Sequence, residues 1–185
     1  MFAILSAIVL RHDLLPVEQK VWNALVVAFA VAAAISDVRW RKIPRWATVA
    51  AALAGLVFHA VFGGLQSSAL AMLIAFAIGL LFFQLKAIGG GDVKLIAALG
   101  ALLGLERWLF AMEIAVLVAA IIGVAQALRR GMLRQMLHNI ASVVTWVLGR
   151  GAVAHPTVNV TNPAGLRAPF GVAAALGTVC AVWKP

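Results

Sequence analysis

Six long apolar runs joined by short basic links leave this chain few ways to fold. They cover about residues 19–37, 46–64, 67–85, 92–106, 108–127 and 166–183. Crossing a bilayer takes about 20 mostly apolar residues in a helix. Five of the runs come close to that length. The fourth is shorter; it begins inside the membrane boundary after a glycine-rich break and is parted from the fifth by only Glu106-Arg107. The chain is 64% hydrophobic and 11% charged, with mean hydropathy +1.05. Soluble domains average about 45–50% apolar and about 25% charged, so a water-soluble fold of this length could not hide so much apolar surface. The expected fold is an all-α polytopic membrane protein. It is a single membrane-embedded domain over residues 1–185, with about six transmembrane helices and the lipid bilayer as its surroundings.

The net charge of +9 raises the question of nucleic acid, but the distribution of the basic residues argues against such a partner. They gather in the links between apolar runs, as determinants of membrane topology do. If Asp37 is cytoplasmic, that face carries Arg39, Arg41, Lys42, Arg45, Lys86, Lys94, Arg129, Arg130, Arg134, Arg150 and Arg167. Arg11, Lys20, Arg107 and Lys184 are left for the other face. This division sets both termini outside. All six tryptophans, at 22, 40, 46, 108, 146 and 183, fall near proposed span ends or in an interfacial segment, as an aromatic belt would have them, although a tryptophan also serves as plain core.

Two further segments stand apart. Residues 1–10, MFAILSAIVL, lack the basic stretch and cleavage site of a signal peptide and are too short to span, so they read as a retained, interfacial segment. In 132–148, Leu133, Met136, Leu137, Ile140, Val143, Val144 and Val147 recur at helical spacing, with Gln135, His138, Asn139, Ser142 and Thr145 on the other side. This is the pattern of a helix lying on the cytoplasmic surface, the alternative being a seventh span. The Gly-, Pro- and Asn-rich stretch that follows is a loop into the last helix.

Against so apolar a background, two aspartates stand out. Asp37 closes the first span and Asp92 opens the fourth, in a chain with only 6 acidic residues. A carboxylate beside hydrocarbon costs several kcal/mol and is a functional candidate by default. Both ends face the cytoplasm in this topology, so two distant elements can bring their carboxyls together at one depth. Such a pair shares a proton, which lets one member activate water while the other protonates a carbonyl. Gly89, Gly90 and Gly91 precede Asp92. Without side chains they allow unusual dihedrals and close approach, and non-helical backbone at membrane depth is tolerated where protein buries it or water reaches it. Glu113, a third intramembrane acid, is expected nearer the outer face in a helix-packing hydrogen bond. Cys180 is the single cysteine, expected only to pack, and His12, His59, His138 and His155 show no metal-ligand spacing.

These patches resemble the type IV prepilin peptidases, membrane aspartic proteases of the GxGD class. Gly89-Gly90-Gly91-Asp92-Val93-Lys94 is similar to the family's GxGDxK motif, and Asp37-Val38-Arg39-Trp40-Arg41-Lys42-Ile43-Pro44 to the segment carrying the second acid. Ala168-Pro169-Phe170-Gly171 is similar to the Pro-aromatic-Gly start of the last helix. The resemblance implies that Asp37 and Asp92 are catalytic and that Gly89, Gly91, Lys94, Pro44, Pro169 and Gly171 support them. It further implies that no metal or organic cofactor is needed. The substrate helix would belong to a prepilin or pseudopilin, cut at the cytoplasmic side of the inner membrane to release a short basic leader. Arg45 stands where the family usually has Asn. The chain also lacks the cysteine-bearing cytoplasmic domain of longer members, so it resembles the short, peptidase-only branch associated with Flp-type (tight adherence) pili. Two competing readings are a small proton-coupled transporter and a non-catalytic assembly subunit; paired membrane acids also mark ion pathways.

Overall fold

A computed structural model describes residues 17–40, 43–85, 88–150 and 170–183, and every element among them is an α-helix. In chain order these are α1 (Val17–Trp40), α2 (Arg45–Phe62), α3 (Leu65–Gln84), α4 (Gly90–Leu103), α5 (Leu105–Arg129), α6 (Leu133–Arg150) and α7 (Phe170–Trp183). Four of them, α1, α2, α3 and α5, are long and apolar enough to cross a membrane. The other two expected spans, α4 and α7, have 14 described residues each, the fourth span being short as its sequence suggests. At 1.5 Å per residue that is roughly 21 Å, against about 30 Å of hydrocarbon. Segment 1–10 and the loop before α7 lie outside the described residues. The stretch expected as an interfacial helix is helical as α6, which touches the bundle chiefly at α5 and leaves Leu137 and Ile140 exposed.

The helices sort into two groups. In one, α4 packs against α2 and α3; in the other, α7 packs against α1 and α5. Contacts between the groups are thinner. Within hydrocarbon, close helix approach depends on small residues at the contact, and each group is built that way. A Cβ on Gly55 would lie 2.5 Å from the Ala101 carbonyl oxygen, and one on Gly100 would lie 2.8 Å from that of Ala71. Gly177 faces the Ala111 carbonyl just as closely.

The ends of α4 and α5 show how the fold copes with a break among apolar helices. The sequence suggests Glu106-Arg107 as the divider, but the break is at Gly104, where φ is 74° and ψ is 171°. An L side chain there would be strained. Helix ends leave backbone groups without partners in their own helix, and here neighbouring side chains supply them. Ser68 Oγ donates to the Ala101 carbonyl at 2.6 Å, and Ser67 Oγ accepts from the Leu105 amide at 2.9 Å. The Leu102 carbonyl accepts from Trp22 Nε1 and His59 Nε2, each at 3.2 Å. Trp22 also stacks on Phe58, with ring centroids 4.0 Å apart.

This corrects the aromatic-belt reading. Trp22 and Trp108 are core residues, whereas Trp40, Trp46 and Trp183 are exposed near helix ends. The α2–α3 turn is made by Gly63 and Gly64, both with positive φ.

Candidate active site

The site lies at the end of the bundle remote from Gly104. Asp37 sits in the last turn of α1 and Asp92 at the third residue of α4, both half-buried. One aspartate comes from each helix group. They are near enough for the Asp37 charge to act on the Asp92 carboxyl.

Asp92 is held locally. Its Oδ2 accepts the Gly89 amide at 3.1 Å, while its own amide and that of Val93 donate to the Gly89 carbonyl at 3.1 and 3.3 Å. The carboxylate therefore caps the start of its own helix, where the macrodipole favours negative charge. A Cβ on Gly89 would lie 3.3 Å from that Oδ2, so the glycine makes room for the cap.

Asp37 is held from a distance. A carboxylate in the last turn of a helix opposes the dipole of that helix. The start of α7 offsets this: the buried Gly171 donates its amide to Asp37 Oδ2 at 2.9 Å. A Cβ on Gly171 would lie 2.8 Å from Asp37 Cβ and 2.9 Å from Oδ2. Only glycine permits this approach without a shift of the aspartate. The resemblance identifies Gly171, but nothing in its spacing signals the contact.

The other candidates divide. Pro44 caps α2 with φ −58° and is exposed, and the preceding Ile43 is half-buried against the core, so the Ile-Pro pair sets the entry of α2 just after Asp37. Arg45, at the departure from the family pattern, is exposed, and its carbonyl accepts from Thr48 Oγ1 at 3.0 Å. Lys94 is exposed one turn into α4. Pro169 lies outside the described residues.

Gly91 differs from expectation: it is exposed, its φ is not positive, and a Cβ there would meet no described atom within 4 Å. The close approach foreseen at Gly91 occurs at Gly171 and Gly89. Gly123 likewise meets nothing within 4 Å and is not a packing glycine among the described residues. Glu113 is exposed and takes part in no hydrogen bond among the described residues, so the helix-packing role does not hold. Cys180, too, is exposed rather than packed. No three His, Cys, Asp or Glu residues converge to hold a metal among the described residues.

The model of the type IV leader peptidase family matches residues 24–124, over half of the chain and including both aspartates. No curated protein and no solved structure matches the chain.

Proposed function

The chain belongs to the type IV leader peptidase family, and from that premise we propose that it is an aspartic endopeptidase with Asp37 and Asp92 as its catalytic pair. The observation that carries this reading is that two carboxyls from separate helix groups lie within electrostatic reach of one another, each accepting a backbone amide and each only half-buried. With one proton between them, the ionised member takes a proton from water as the water oxygen attacks the scissile carbonyl carbon. The protonated member gives its proton to the carbonyl oxygen. The tetrahedral intermediate then collapses, the C–N bond breaks, and the leaving amine takes up a proton from the pair. Neither a metal nor an organic cofactor enters these steps.

The exposed backbone of Gly90 and Gly91 beside Asp92 leaves room for an extended substrate segment, and Lys94 lies exposed at the same mouth. In this reading Gly89 and Gly171 hold the carboxyls and Pro44 fixes the chain entry to α2, with Pro169 a supporting residue on the resemblance alone. The substrate is a prepilin or pseudopilin whose short basic leader is removed just before its hydrophobic helix. The basic residues around 39–45 and 129–134 favour a cytoplasmic site in the bacterial inner membrane, with both termini on the opposite face. Residues 1–185 would form one embedded unit of six membrane-inserted helices, α4 and α7 being short, with α6 lying along the cytoplasmic surface.

The test is to incubate the purified protein with a prepilin and follow leader loss by mass. A shortened pilin with the parent, and none with Asp37→Asn or Asp92→Asn, is expected. An uncut pilin with well-folded parent protein would favour the transporter or the silent subunit.

A further inference from the structure

Glu113 is the one charged side chain on α5 between Arg107 and Arg129, and the proposed reaction does not use it. The 25 residues of α5 are long and apolar enough to cross a membrane. At 1.5 Å per residue the helix is about 37 Å long, so centred on about 30 Å of hydrocarbon it overhangs by roughly 4 Å at each end. Glu113 lies about 12 Å along it from Leu105, hence about 8 Å inside the hydrocarbon. Yet Glu113 is exposed and takes part in no hydrogen bond among the described residues. Hydrocarbon offers a carboxyl neither donor nor acceptor, so an acid at such a depth calls for a protein partner.

The surface around it is continuous. Leu109, Glu113, Val116, Leu117, Ala120 and Val124 form one exposed stripe of α5. Ala111 and Ala115, on the opposite side of the helix, are fully buried, and their backbone packs against Gly177 of α7. Within the stripe, Leu109, Glu113, Val116 and Ala120 follow the alternating four- and three-residue spacing by which two helices interlock. Ala120 is small enough to let a second helix approach closely.

We propose that this face of α5 is the interface between two copies of the chain, related by a two-fold axis along the membrane normal, with the two Glu113 carboxyls hydrogen-bonded to each other. The occupant is a second copy for two reasons. Under such an axis the same patch meets itself, and each residue meets residues of the other copy at its own depth. The stripe carries no other charged group at that depth, so Glu113 faces Glu113. A carboxylic acid is also its own complement: each O–H donates to the other carbonyl oxygen, and the pair leaves no donor over. The stripe is turned away from α7, so α7 and its contact with Asp37 stay outside the interface. This inference does not rest on the peptidase reading.

The test uses the full-length chain with Cys180→Ala, kept in its membrane, given single cysteines and oxidised with copper phenanthroline. Val116→Cys and Ala120→Cys should form disulfide-linked dimers, because each position meets its own copy across the axis. Ala125→Cys, exposed but turned away from the stripe, should not. No dimer from either stripe position, or an equal yield from Ala125→Cys, overturns the proposal. The acid is tested by energy transfer between labelled copies as the protein is diluted in liposomes. Glu113→Leu should weaken association by about 5-fold or more, the scale of a lost hydrogen-bonded contact between membrane helices. Glu113→Gln should associate like the parent, since a primary amide also pairs with itself through one donor and one acceptor. Parent-like association of Glu113→Leu refutes the carboxyl pair. Equal weakening by Glu113→Gln would mean that Glu113 pairs with a cation, and refutes it too. If Glu113→Leu does not accumulate, the cysteine variants and Glu113→Gln decide. Association should be unchanged in Asp92→Asn, which separates this outcome from that of the leader-cleavage assay.

Discussion

Asp92 takes its hydrogen bond from Gly89, three residues away on the same segment, whereas Asp37 takes its own from Gly171, 134 residues away on another helix. The helix groups that carry them differ in the same sense. In the α2–α3–α4 group, the aspartate belongs to the central helix, and that helix sets the carboxyl by its own capping. In the α1–α5–α7 group, the aspartate is on an outer helix at an electrostatically poor position, and the central helix α7 must come to it. One half of the site thus depends on local geometry and the other on tertiary docking, which makes the two halves vulnerable to different substitutions.

The comparison breaks most completely at the carboxyls themselves. If the pair works as a unit, Asp37→Asn and Asp92→Asn should each lower leader cleavage by about 10²–10⁴-fold or more, and the double variant should be little worse than either single one. Cleavage per unit of inserted protein is the measurement. A single variant that keeps most of its activity would show that one half does the chemistry without the other.

Next in size is the test of how each carboxyl is held. Gly171→Ala places a methyl 2.8 Å from Asp37 Cβ. A displacement of about 1 Å in a reacting group can cost on the order of 100-fold in rate, so the loss should appear in kcat. Gly91→Ala meets no described atom within 4 Å and should leave the enzyme's own geometry and stability intact. Any loss it causes should fall on KM, through crowding of the substrate backbone. A kcat collapse for Gly91→Ala with none for Gly171→Ala would reverse the contrast between the two halves.

The same contrast explains what the sequence discloses. The Asp92 half is legible because its determinants are contiguous: a run of three glycines, an acid at the third helical position, then a helix. Apolar runs likewise reveal α1, α2, α3 and α5, with bounds within a few residues. The contact of Gly171 with Asp37 is invisible, since a glycine near a helix start has many uses and only packing selects one. Gly91 misleads for the complementary reason, because adjacency to the acid suggests a constraint that α4 exerts at Gly89 instead. Trp22 and His59 are far apart in the chain, and what unites them is the Leu102 carbonyl beside the break at Gly104, with its need for external hydrogen-bond partners. The short helix α4 ends at the glycine break at Gly104, a boundary that the apolar run through residue 106 conceals.

Packing of the groups should be sensitive at the glycines that let the helices meet. Gly100→Val, on the α4 face toward the Ala71 carbonyl, and Gly177→Val, on the α7 face toward that of Ala111, should each destabilise by about 1–3 kcal/mol through overpacking. Gly123→Ala, with open space around it, should be close to neutral. Thermal unfolding in detergent ranks the three. Equal midpoints would mean that the groups are not held by these contacts.

The smallest expected effect lies at the far end, where side chains of both groups converge on α4. Trp22→Phe keeps an aromatic ring to stack on Phe58 but removes the N–H donated to the Leu102 carbonyl. A neutral hydrogen bond contributes about 0.5–1.5 kcal/mol net. His59 Nε2 still donates to the same oxygen, so the carbonyl is not orphaned and the cost should fall at the lower end of that range. His59→Leu alone should behave similarly, because Trp22 then remains as donor. The double variant leaves the buried carbonyl with neither side-chain donor, and its cost should exceed the sum of the two single costs. Leader cleavage per folded protein should stay near that of the parent in all three, since the site is at the other end of the helices. Strict additivity in unfolding midpoints would show that the two donors do not substitute for one another. A loss of cleavage in folded Trp22→Phe would show that the remote end controls how the two aspartate-bearing groups meet.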